Sequence, residues 1–168
     1  MANTTFQGPV TSKAGFITTG PANVVDADSS VSLTVATHSG KIVHNDAAGA
    51  VTYTLPATNA NSDSAVAGPG ADLNNLSNVG AKFEIFNSIT KTGDLVVQVA
   101  NATDVMIGSA TFIDDTSDNV VGFETASTSD TITLNGSTTG GVTFAIIECT
   151  VLASGKWKVI VSDVEAVS

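Results

Sequence analysis

Between Val31 and Ala36 the side chains alternate in kind: Val31, Leu33 and Val35 fall on one side, and Ser32, Thr34 and Ala36 on the other. A two-residue period is that of a half-buried β-strand. It recurs along the chain in Lys41 to Asn45, Ala50 to Leu55, Lys82 to Asn87, Asp94 to Ala100, Val105 to Ile107, Thr131 to Leu134, Thr143 to Leu152 and Lys156 to Val161. Only Leu73, Leu76 and Val79, three apart, allow a helical turn or two. Thr and Ser make up about a quarter of the 168 residues, while Leu, Glu, Lys and Arg are scarce. That balance favours pleated surfaces and turns over helix.

About ten short strands with regular turn signals predict an all-β domain, an antiparallel β-sandwich or barrel, with a jelly-roll as one possible topology. Asp46-Ala47-Ala48-Gly49 reads as a hairpin turn, and Ala153-Ser154-Gly155 as a clearer one. Pro56 ends a strand, because it donates nothing to a ladder. With no exact internal repeat, a solenoid or propeller is not expected. Residues 1–22 read as an extended N-terminal arm. Residues 23–168 read as one β-domain with a long surface excursion at 59–80, which carries Gly68-Pro69-Gly70. The alternation places Leu33, Val35, Tyr53, Leu55, Phe83, Ile85, Val97, Val99, Ile132, Leu134, Ile147 and Trp157 in the core.

Charge narrows the partners. Sixteen acidic residues against six Lys and no Arg give a formal charge of −10 and disfavour nucleic acid and anionic membranes. The start lacks a basic segment followed by an apolar run, so no secretory signal is expected, and synthesis in a cytoplasm is.

Chemistry-bearing residues are sparse. His38 and His44 are the chain's two histidines, which the flanking hairpin could bring together, and Cys149 is its one cysteine; no short metal-ligand spacing is present. Cys149 reads as a small buried hydrophobe, and Glu148 as an interruption of the opposite, largely apolar face. Asp114, Asp115 and Asp118, or Asp26 with Asp28, offer oxygen ligands for Ca²⁺, but a solvated acidic loop is the favoured reading. Catalytic residues, a cofactor and a required metal are therefore not expected.

Two stretches carry a resemblance. Asn3-Thr4-Thr5-Phe6-Gln7-Gly8-Pro9-Val10, closing on Gly15-Phe16, resembles the opening of small head proteins of marine tailed bacteriophages, although Thr11 stands where those often have a basic residue. Tyr53-Thr54-Leu55-Pro56-Ala57, Phe83-Glu84-Ile85-Phe86-Asn87, Val105-Met106-Ile107-Gly108 and Gly155-Lys156-Trp157 resemble a β-module shared by phage head-decoration, fibre and tail-spike proteins. The resemblance implies a non-enzymatic capsid decoration, or cement, protein, made in the host cytoplasm and carried on the outer surface of the virion. Its implied partners are the major capsid protein and itself, as a homotrimer. Phe6, Gly8, Pro9, Val10 and Phe16 are the implied capsid contacts. A fibre or tail module that binds a receptor or carbohydrate is the alternative.

Overall fold

The computed structural model describes residues 23–59, 78–114 and 119–164. Eleven strands and one helical turn are found there: β1 (Val24–Asp26), β2 (Val31–Ser32), α1 (Val35–His38), β3 (Ile42–Asn45), β4 (Val51–Thr54), β5 (Lys82–Asn87), β6 (Leu95–Gln98), β7 (Val105–Asp114), β8 (Asn119–Glu124), β9 (Thr131–Leu134), β10 (Thr143–Ala153) and β11 (Lys156–Val164). They form a seven-stranded sheet, β1-β3-β5-β10-β11-β7-β8, and a four-stranded sheet, β2-β4-β6-β9. The fold is all-β and sandwich-like, as the alternation predicts.

The pairing is not that of an antiparallel sandwich. β1, β3 and β5 run parallel in the larger sheet, and β2, β4 and β6 parallel in the smaller one. The chain therefore winds in three successive coils, each leaving one strand in each sheet. The β3–β4 connection at Asp46 to Ala50 is a crossing between sheets and not a hairpin, which corrects the expectation from Asp46-Ala47-Ala48-Gly49. Antiparallel pairing appears later: β5 with β10, β10 with β11, β7 with β8, and β6 with β9. The predicted hairpin at Ala153-Ser154-Gly155 is found, and Gly155 turns it at φ 70°, a left-handed conformation that costs glycine little.

One apolar cluster lies between the sheets. Val43, Phe83, Ile85, Ile147, Trp157 and Val159 come from the larger sheet, and Leu33, Tyr53, Leu55, Leu95, Val97 and Leu134 from the smaller. Trp157 meets Phe83 edge to face, with ring centroids 5.7 Å apart. Ile132 is packed against the cluster from its margin.

Val35 departs from the expected core: it is 41% exposed. The strand ends at Ser32 because Thr34 caps a helical turn, its Oγ1 accepting from Thr37 N–H at 3.3 Å. The ring of His38 then folds back, Nδ1 accepting from Thr34 N–H at 3.0 Å. That local alternative for the backbone outcompetes the strand pattern.

Candidate functional site

The coiled part of the molecule is closed by polar groups. Asn45 and Asn87 are fully buried and directly in register on β3 and β5. Asn45 Nδ2 donates to Asn87 Oδ1 at 2.7 Å, and each amide also donates to the carbonyl two residues on, Ala47 and Ile89. The Tyr53 hydroxyl donates to the Ala27 carbonyl, and Asn45 Oδ1 lies 3.3 Å from it. Lys91, also buried, donates through Nζ to the Ala47 and Gly49 carbonyls, joining the turn of one coil to that of the next. Desolvation pulls its pKa below that of an ordinary lysine, with nearby Asp28 pulling the other way. Every one of these groups has a structural partner.

Beside this end lie Asp26 and Asp28, which the fold joins to Asp46: one carboxylate oxygen of each falls within 4.8 Å of the others. Asp28 Oδ1 accepts from Asp46 N–H at 3.0 Å, which holds its pKa below the usual carboxylate value. A hydrogen bond with Asp28 raises that of Asp46. All three residues are exposed, and among the described residues no buried, unpartnered ligand is aimed at them. Asp115 and Asp118 lie outside the described residues, so the other candidate Ca²⁺ ligands, with Asp114, receive no geometry.

The histidines do not meet in a catalytic pair. His38 is spent on Thr34. His44 faces outward from β3, with Nε2 2.8 Å from Ser88 Oγ and Nδ1 3.5 Å from Asp26 Oδ1. Its ring stacks on Phe86, which stacks in turn on Phe144, with centroids 5.8 and 6.2 Å apart. Phe144 has a φ of 65°, strained for an aromatic residue, at the irregularity where β10 shifts register against β11, and it is 62% exposed. Cys149 is buried beside Phe83 and Val159, and desolvation pushes its thiol up to about 12. Glu148 lies on the outward face, opposite Glu84.

The far edge of the larger sheet is built differently. Across a cavity, β7 and β8 face β9 of the smaller sheet. Their inward row starts buried at Met106, becomes partly buried at Ala110 and Phe112, and ends at Phe123 and Val121, 50% and 44% exposed. Phe112 and Phe123 meet edge to face at 5.5 Å. Two cavities flank this pair, of about 210 and 280 Å³. The first lies between β7–β8 and β9, against Ile132, Leu134 and Val161. The second lies beside the turn at 137–140, where Gly140 approaches Phe112 so closely that a Cβ would sit 2.1 Å from its ring. Val120, on the opposite face of β8, is 66% exposed.

Among the described residues β8 is also an edge strand of six residues, Asn119-Val120-Val121-Gly122-Phe123-Glu124, with neither Lys nor Pro in it. No strand is expected here from the sequence, because Val120-Val121 breaks the alternation. The signal was present in Val121 and Phe123, two apart. The arm residues Phe6, Gly8, Pro9, Val10 and Phe16 lie outside the described residues. No family model, no curated protein and no solved structure matches this chain.

Proposed function

We propose that this chain is a virion structural protein, a capsid decoration protein that binds the outer surface of a phage head and stabilises the shell. The observation that carries the proposal is the β8 edge, unpaired among the described residues, with Val121 and Phe123 44% and 50% exposed beside it: a surface suited to a partner. The sequence resemblance supplies the identity of the partner, the major capsid protein. Binding is passive, and mass action favours whatever shell state presents the site. A homotrimer matches a three-fold or quasi-three-fold axis of such a shell. The arm, through Phe6, Gly8, Pro9, Val10 and Phe16, supplies the second contact. No catalytic step, cofactor, nucleic acid or membrane enters this reading.

The experiment is a gel of purified particles scored for copy number, followed by add-back of the protein to particles that lack it. Many copies per shell and saturable rebinding are expected. A few copies at a fibre or tail would replace the proposal by the second reading, a receptor- or carbohydrate-binding module. One observation favours that reading: the exposed ring of Phe144 beside the hydroxyls of Thr90 and Thr143, which lie 3.1 Å apart.

A further inference from the structure

The β8 edge has four features that together describe what fits it. It presents six residues, about 20 Å of strand, whose outer backbone groups pair with no strand among the described residues. Its inward side chains, Val121 and Phe123, continue an apolar row from Ala110 and Phe112, which pack against the core, and are themselves 44% and 50% exposed. The opposite wall is mixed, with Ser129 and Thr131 beside Ile132 and Leu134. The charged residues bordering the two cavities are acidic, with no lysine among them: Asp163 is buried and accepts from Gly141 N–H, while Glu124 is exposed and, opposite Ser109, falls on the outer face of β8 with Val120.

We infer that this edge receives an extended strand of another protein, apolar at alternate positions and carrying a basic residue that reaches Glu124. Added beside β8, such a strand gains main-chain hydrogen bonds, while its alternate side chains enter the space around Phe112 and Phe123. The charge of the surface selects the occupant. A second copy brings the same carboxylate and a share of a −10 chain, with six Lys in 168 residues. The chain's own residues 1–22 hold one cation, Lys13, and a proline at position 9 that cannot donate to β8. A partner with cationic strand ends meets neither objection, and its attraction weakens with salt. The inference rests on the proposed function only for the identity of the partner, the shell protein.

The test uses the full chain and two blocked seven-residue probes, Lys-Val-Thr-Val-Thr-Val-Lys and Glu-Val-Thr-Val-Thr-Val-Glu, followed by fluorescence anisotropy at low and high salt. The lysine probe should bind with a Kd of about 10⁻⁴ M at low salt, at least roughly tenfold tighter than the glutamate probe, and weaken as salt is raised. Phe123→Asp should abolish binding with an unchanged melt. Glu124→Lys, on an exposed side chain, should reverse the preference between the probes. Equal binding of both probes, no binding up to millimolar concentration, or full binding by Phe123→Asp would each overturn the inference. So would a dimer of the free protein that Phe123→Asp dissolves, since the edge would then belong to a second copy. Probe binding together with failed add-back to particles would leave the surface standing and remove the decoration reading.

Discussion

The two ends of the larger sheet solve the same problem in opposite ways. At the β1–β3–β5 end the chain covers its sheet with coils of its own: each strand is followed by one in the opposite sheet, and Asn45, Asn87, Tyr53 and Lys91 satisfy the buried turns between them. At the β7–β8 end longer strands face β9 across a cavity, and Val121 and Phe123 stay about half exposed. The contrast shows where the sequence invests in self-sufficiency and where it leaves a surface incomplete. Polar substitutions should therefore be costly at one end and cheap at the other.

The largest effect belongs to neither end but to the shared core. Trp157→Ala empties a fully buried site against Phe83 and should cost about 3 to 5 kcal/mol in denaturant unfolding. An unchanged melt would place Trp157 outside the core and remove the common support of both ends. Next comes the closed end: Asn45→Ala deletes two hydrogen bonds and strands a buried Asn87 oxygen, a loss of about 2 to 3 kcal/mol. If Asn45→Ala cost no more than Phe123→Ala, the distinction between the ends would fail.

Alkali probes the interior by another route. Cys149 and Tyr53 both hold their protons more tightly folded than unfolded, because burial raises the thiol from 9.0 to about 12 and the phenol above its usual 10.0. Their contribution is complete below about pH 9 and is lost as pH climbs toward 12, by up to about 1.4 kcal/mol per pH unit for each group. Melting curves should fall steeply above pH 9, and Cys149→Val should make the fall shallower. A Cys149→Val curve parallel to that of the parent would show that the thiol titrates freely. The smallest effect is expected at Asp26, Asp28 and Asp46: EDTA should leave the melting temperature where it was. A drop that Ca²⁺ reverses would make this cluster part of what closes the coiled end.

The sequence reveals the strands more readily than their partners. Alternation finds Thr131–Leu134 and Lys82–Asn87 to the residue, and eleven of the twelve residues expected in the core are buried or packed against it. Parallel pairing is harder to read, because the crossover it needs is disguised as another strand: β4 lies within the β3–β5 connection. Val43-His44-Asn45 and Ile85-Phe86-Asn87 are successive rungs, but the turn to the next strand differs in length and residues 46–84 separate them in sequence. Val35 was lost to a cap that only Thr34 and His38 together explain. The open edge was least legible, since a strand awaiting a partner need not show the alternation of one already buried.

Add-back of the parent protein and of Phe123→Asp to particles lacking the protein, scored by copy number on a gel, tests the open end as a binding surface most directly. The parent should bind to saturation. Phe123→Asp should fail at the same concentration while melting at the same temperature. Equal decoration by both would contradict the assignment and move the shell contact away from β8.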